Sequence, residues 1–435
     1  MSALVVVLLL VAIVFFLPLS SMFLRHPAAF LTIHLAVVCF VPYWIGISVG
    51  GNFFPAALFS TLLLLSLALR VPWPRTDRLD VLLCITVAVA LLSVILNLAS
   101  LSQWLGVMLT WVVPFWLGRR FGLLLSVAEM SRILLPFAAL LASWSMFELL
   151  FDWHPFVHLT GVGGPGDVWA SIQYRGGLPR SEGAFGTSIV LGNVLALIFP
   201  FVLVAKVSMR TRLTVGAMVV GGILATFSRN ALIAVAVALI LASIQLRRGP
   251  SLARRMTTAV LATGLTLMMV GVYVSVTADF ASDEIANSTQ YRQGYLSLFD
   301  TLQPLGPASS LVEYAPGKFG YSSLDYIGGV AKSIDSSAML VALQFGWLPA
   351  VLLVALLLVV VVSALGPRGR LNPSMIAVAA LVPSVLTVAM VTQLPYLYWL
   401  FLGIAVSTHR GRSAQVDSSR KFFPTYHPPI SREVH

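Results

Sequence analysis

An arginine set between two apolar runs is the residue in this chain whose type and position most need a chemical reason. In "ILATFSRNALIAVAVALI", residues 223–240, the polar residues Ser228, Arg229 and Asn230 interrupt an otherwise greasy stretch. A charge at a membrane interface marks a substrate or ion site when it serves a function. A guanidinium donates two parallel hydrogen bonds to one phosphoryl group, which an ammonium does not. Ser228 and the start of the following helix add donors beside it. Arg229 therefore reads as an anion ligand, with a helix cap or a side chain reaching to the interface as the competing role. Arg292, in "QYRQGYLSLFDTLQ", is a second candidate: Tyr291, Tyr295, Leu298, Phe299 and Leu302 share one helical face there, as in a helix lying in the bilayer surface. Its alternative is a solvated side chain on that helix. Arg180 precedes an apolar helix and is a third candidate anion ligand, or an interfacial anchor. Arg175 and Lys332 read as structural or acceptor-contacting residues.

Metal chemistry has less to build on. Asp279, Asp283, Glu284 and Asp300 form no tight Asp-x-Asp pair for a divalent ion. His154 and His158 are four apart, but Pro155 between them argues against a helix presenting both to a metal. His34 reads as a core histidine bonded to nearby backbone, and Cys39 and Cys84 as small hydrophobes inside apolar runs. The expectation is no metal and no cofactor.

The elements that must position these residues are membrane helices. Hydrophobic residues make up 58% of the 435 and charged residues 10%, and apolar runs repeatedly approach the roughly 20 residues that cross a bilayer. The fold class expected is an all-α polytopic integral membrane protein with about 12–13 transmembrane helices. The spans fall near 3–19, 28–48, 53–69, 81–98, 101–118, 133–150, 185–205, 213–227, 230–245, 257–276, 338–364, 375–391 and 395–408. Met1–Leu19 lacks a positive start and a small-residue cleavage site, so it reads as the first of these helices rather than a signal peptide. Residues 1–408 form one transmembrane domain, with extracytoplasmic loops at 151–184 and 277–337, the second containing short amphipathic helices. Residues 409–435 read as a disordered basic cytoplasmic tail.

Orientation follows the basic residues. Taking alternate connections as one side collects Arg25, Arg70, Arg75, Arg78, Arg119, Arg120, Arg132, Lys206, Arg210, Arg212, Arg247, Arg248, Arg254, Arg255, Arg368, Arg370 and the five of the tail, 21 of 27 in all. That side is expected to be cytoplasmic, so the net charge of +11 reports topology and not nucleic-acid binding. The remaining six, Arg175, Arg180, Arg229, Arg292, Lys318 and Lys332, face outward.

"TFSRNALIAVAVALI" resembles the Ser-Arg-Gly-Ala-Leu motif of the O-antigen ligase and O-antigen polymerase superfamily of membrane glycosyltransferases. "RSEGAFGTSIVLGNVLALIFP" is similar to that family's Arg-x-x-Gly-x-Phe segment, and "STQYRQGYLSLFDTLQPLG" to its Arg, aromatic, Pro-Leu-x-Gly pattern. "SIDSSAMLVALQFGWLPAVLLVALLLV" is similar to its His-Asn or Asp-Asn motif followed by a leucine-rich helix. The four occur in the family's order. Asn230 stands where Gly is common, Asp335 where ligases carry His, and Ser336 where Asn is customary; the Asp resembles the polymerase-like branch.

The resemblance implies transfer of a glycan from an undecaprenyl-diphosphate-linked donor to a hydroxyl of a glycan or lipid acceptor, at the outer face of the bacterial cytoplasmic membrane. A surface-polysaccharide polymerase is the first expectation and a ligase the second. Arg229 and Arg292, with Arg180, would hold the diphosphate in place of a metal. Asp335 would act as the catalytic base that accepts the acceptor's proton, or serve as N-cap of the helix begun by "DSSAML". A transporter or flippase is the third possibility; it would favour ionisable groups at mid-membrane, broken helices and an internal repeat.

Overall fold

The computed structural model describes residues 18–49, 52–159, 166–175, 177–246, 302–308, 336–365, 372–388 and 390–422. The chain is mostly helical, 77%, with almost no sheet. Among the described residues four helices are long and apolar enough to cross a membrane, and a fifth if one bent pair counts as a span. The expected span 257–276, and residues 3–17 of the expected span 3–19, lie outside the described residues.

The bent pair comes first. Helices α1 (Pro18–Arg25) and α2 (Pro27–Phe40) meet at 100°. The residue before a proline is kept out of the helical region, and His26, at φ −130°, is that residue. The expected span 28–48 stops at Phe40, because Pro42 follows within two residues and the chain turns into a hairpin of β1 (Gly46–Val49) and β2 (Asn52–Pro55). Helix α3 (Ala56–Leu67) leads on to the long helices α4 (Arg78–Ile95), α5 (Leu101–Leu124) and α6 (Val127–Phe151). Asp77 with Asp80, Ser100 with Gln103 and Ser126 with Glu129 form reciprocal capping boxes at their starts. A π-helical turn at Met108–Val112 interrupts α5 just ahead of Pro114, which has no N–H to continue the ladder.

Helices α7 (Ser188–Val204), α8 (Met209–Ala225) and α9 (Arg229–Leu246) follow. Beyond residue 335 come α10 (Ser337–Phe345), α11 (Trp347–Leu365), α12 (Pro373–Ala380), α13 (Val382–Thr387) and α14 (Leu394–Phe422). Two expected spans are thus broken. Span 338–364 divides at Gly346, whose φ of +104° no helix accepts. Its neighbours bond elsewhere: Gly306 N–H donates to Phe345 O at 2.9 Å and Trp347 N–H to Gln303 O at 2.9 Å. Span 375–391 divides between Ala380 and Val382, ahead of Pro383.

Helix α7 is apolar on all sides and packs against α6, α8, α9, α12 and α14, so it is the buried axis of the molecule. The closest crossing joins α5 to α14. A side chain on Gly118 would overlap the carbonyl of Leu400, and one on Gly403 the carbonyl of Phe115. Gly118 and Gly122 are four apart, the small-residue spacing that lets membrane helices touch backbone to backbone.

The helix ends sort into two poles. At one, Gln393 Nε2 donates to Ala184 O at 2.9 Å and to Val41 O at 3.3 Å, joining the start of α14 to the end of α2 and the entry to α7. At the other, Gln245 Nε2 donates to Ala364 O at 2.7 Å, tying the end of α9 to the end of α11. There too Arg119 donates to Asp80 Oδ2 at 3.0 Å and Arg75 O at 2.7 Å, and Arg120 stacks over Trp73 at 4.2 Å. Among the described residues Arg175, Arg180 and Arg229 share the first pole. Of the basic residues assigned to the opposite side by the sequence, Arg119 and Arg120 lie at the second, among the described residues.

Candidate functional site

The site begins with a short turn. Helix α8 ends at Ala225 and α9 starts at Arg229, so three residues must reverse the chain. Phe227 adopts a left-handed φ of +50°, a region that bulky residues seldom enter. Thr226 and Ser228 supply the local bonds that hold it there. Thr226 Oγ1 donates to Ile223 O at 2.6 Å and accepts from Ser228 N at 3.3 Å, and Ser228 Oγ accepts from Ala231 N at 3.4 Å as a cap for α9. Gly192 of α7 lies beneath, where a Cβ would press within 3.0 Å of Thr226, Ser228 and Ala231. The polar interruption in the apolar run is therefore a strained turn that places Arg229, half-buried, at the first position of a helix.

A small hairpin grips this turn from outside. Strands β3 (Tyr174–Arg175) and β4 (Leu178–Pro179) pair antiparallel, with Gly177 at φ +77° between them. Three consecutive carbonyls at the end of α8 take donors from this segment. Ala225 O accepts from Ser181 N at 3.2 Å, Thr226 O from Arg180 Nε at 3.0 Å, and Phe227 O from Arg175 at 3.0 Å. Cations at a helix C-terminus also oppose its dipole. Arg175 and Arg180 thus bond the carbonyls two and three residues before Arg229 and fix the backbone that presents it.

Behind the hairpin sits a pair of buried carboxyl groups. Glu148, on the last turns of α6, accepts from Trp144 Nε1 at 2.8 Å, Glu182 N at 2.9 Å and Gly183 N at 3.0 Å. His154 Nδ1 lies 3.7 Å from the same carboxyl. Glu182, 3% exposed, accepts from Gln173 N at 2.8 Å. Burial pushes its carboxyl up to about 8, against the pull of the Gln173 hydrogen bond and the Arg180 charge and with a further push from Glu148. Gln173 then closes a ring: its carbonyl accepts from Arg180 N at 2.9 Å, and its side-chain oxygen accepts from Ser188 Oγ at 3.2 Å and Arg180 at 3.5 Å.

The start of α10 approaches the same region through α13. Ser384 Oγ on α13 donates to Asn230 O at 3.4 Å. Ser337 Oγ donates to Val388 O at 3.1 Å and accepts from Met390 N at 2.8 Å. Ser384 and Val388 are one helical turn apart, about 6 Å of rise. The beginnings of α9 and α10 therefore abut the same short helix.

Of the expected site residues, Arg229 and Arg180 meet at this turn, and Arg175 joins them with a direct grip on Phe227. Arg292 and Asp335 lie outside the described residues. The cap of α10 is Ser336, whose Oγ accepts from Met339 N at 3.2 Å, so the capping role considered for Asp335 is filled by its neighbour. His34 bonds not to backbone but to Ser60 Oγ, at 2.9 Å. Sequence reasoning passed over Glu148, Gln173 and Glu182; the signal for the first was available, since Glu148 is an acid inside an apolar span. Among the described residues no group of three or more His, Cys, Asp and Glu side chains is arranged to hold a metal ion. No protein-family model, curated protein sequence or solved structure matches the chain.

Proposed function

We propose that this chain is a polytopic membrane glycosyltransferase of about 12–13 transmembrane helices. In this reading it transfers or polymerises a glycan from an undecaprenyl-diphosphate-linked donor onto a hydroxyl acceptor, outside the cytoplasmic membrane. The favoured form is a surface-polysaccharide polymerase; ligase-type transfer to a lipid or protein is the alternative. What supports the reading most is the turn at Arg229. A strained, thrice-clamped turn presents a guanidinium at a helix start, with two further arginines beside it and the start of α10 nearby. Strain of this kind persists where the surroundings over-determine it, as they do at binding sites. In this mechanism Arg229 and Arg292 carry the diphosphate charge as the glycan departs, Arg180 adds to the field, and Asp335 takes the proton of the attacking hydroxyl.

A transporter reading would draw on the broken helices at Gly346 and Leu381. The gathering of arginines at one pole favours the enzyme. The test is glycan transfer by purified protein in lipid discs with a lipid-linked donor. Arg229→Ala should lower the rate by about 10²–10³-fold, as removal of one preorganised charge-stabilising donor does, and Arg229→Lys should rescue only part of it. Chelator should leave the wild-type rate unchanged. A normal product from Arg229→Ala, or a strict need for magnesium or manganese, would sink the proposal.

A further inference from the structure

The pole opposite the Arg229 turn carries an exposed basic strip that the proposed reaction does not use. It lies between α3 and α4. After the short 3-10 turn Ala68–Arg70, residues 71–77 cross to α4 without regular structure of their own. Their backbone is fixed from inside by two buried guanidiniums of α5. Arg120 donates to Val71 O and to Pro72 O, the second at 2.6 Å, and Arg119 donates to Arg75 O at 2.7 Å. The side chains of Arg70, Arg75 and Arg78 stand exposed, and none of the three pairs with an acid among the described residues. The two acids nearest in sequence are taken up elsewhere: Asp77 and Asp80 form the capping box of α4, and Asp80 also holds Arg119. Arg78 moreover occupies the first position of α4, where the helix dipole disfavours a cation.

An aromatic ring sits within this strip. Trp73 is 68% exposed, with the Arg120 guanidinium over one face at 4.2 Å and Trp116 of α5 set edge-on at 5.2 Å. An indole held in this way suits the boundary between hydrocarbon and headgroups, where one end of the ring is apolar and the other wet. We propose that residues 70–78 form a docking site for the headgroup of an anionic phospholipid, with Arg70, Arg75 and Arg78 on its phosphate and Trp73 against the glycerol and the first methylenes of its chains. The charge complementarity is with an anion, and the ring selects a lipid over soluble phosphate, which has nothing to set against an exposed indole. The loop also packs on α5, which is long and apolar enough to cross a membrane, so bilayer is what adjoins it. A basic strip that served orientation alone would need no fixed backbone; this one is held at three carbonyls.

The site is independent of the glycosyltransferase reading, and its test needs no glycan. The full-length protein in nonionic detergent is titrated with phosphatidylglycerol and, separately, with phosphatidylcholine, and bound lipid is counted by native mass spectrometry. Wild type should keep phosphatidylglycerol at concentrations where phosphatidylcholine is lost. The triple variant Arg70→Gln, Arg75→Gln, Arg78→Gln should weaken that retention by about 100-fold, roughly 5-fold for each charge removed. Arg75→Gln alone should show the 5-fold step, which keeps the test available if the triple variant folds poorly. Trp73→Ala should weaken retention as well. The control is Arg132→Gln, Lys206→Gln, Arg210→Gln, which removes the same charge from exposed residues that the sequence assigns to the same side; it should leave retention within about 2-fold of wild type. Equal losses in the two triple variants would reduce the strip to diffuse positive charge and overturn the site. Equal retention of the two lipids by wild type would overturn it too, and so would displacement of phosphatidylglycerol by millimolar inorganic phosphate, which would mark a site for a soluble anion.

Discussion

At the scale of single residues, the distinction between a cap and a base has become testable for Asp335. Ser336 caps α10 with its own hydroxyl, so substitutions at Asp335 need not disturb the helix. Asp335→Asn and Asp335→Ser should both fold and both lose transfer by about 10²–10⁴-fold, the range for a general base; rates near wild type for either would remove the catalytic role. Glu182 makes a separate prediction about stability. In the unfolded chain its carboxyl titrates at the ordinary 4.5, in the folded chain at about 8. Between those values the folded state carries a proton that the unfolded state has released, so rising pH favours unfolding. The contribution is fully present below 4.5, declines up to about 8 and is flat beyond. Melting temperature of the purified protein should track that window, and Glu182→Gln should flatten it. These groups differ in how far the sequence announced them. Arg229 was visible because a charge in an apolar run is costly wherever it sits. Glu182 and Gln173 were not, because their roles come from a ring of backbone bonds closed across the hairpin, and no spacing in the sequence encodes that.

At the scale of elements, the apolar runs located most helices but misjudged where they break. Hydrophobic length says that a segment is buried, whereas the break at Gly346 depends on a positive φ and on residues 303–306 bonding to the exposed ends. The hairpin that cut span 28–48 short was legible in Pro42, whose missing N–H ends the ladder there, although α6 and α7 run on through Pro136 and Pro200. Between elements, contact distance decides tolerance. The α5–α14 crossing leaves no room at Gly118 or Gly403, so Gly403→Leu should destabilise the fold by about 3 kcal/mol, the upper end for overpacking. Gly216→Ala on α8 is the control: the added methyl meets only Phe199, at 4.0 Å, and alanine gains up to about 1 kcal/mol of helix propensity. Denaturant titration in detergent should order the variants Gly216→Ala, wild type, Gly403→Leu from most to least stable. A Gly403→Leu protein as stable as wild type would contradict the close crossing.

At the scale of the whole molecule, the two poles give the chain a direction. Cysteines at Ser288 and Ser309 should react with an impermeant reagent in intact cells and one at Ser251 should not; the opposite pattern would invert the membrane orientation and move Arg229 to the cytoplasm. The α5–α14 crossing carries a further consequence, which concerns birth rather than stability. The grip on the Arg229 turn uses residues 145–231, so it is complete as soon as α9 leaves the ribosome. The bond from Arg119 to Ser407, by contrast, joins positions 288 apart. During translation α5 therefore waits with its glycine strip uncovered, Arg119 held meanwhile by Asp80, until α14, far downstream, arrives to cover it. The seam is closed by a segment made long after the one it covers, and anything that delays that segment, such as a slow stretch of codons before it, leaves the glycine face of α5 open for longer.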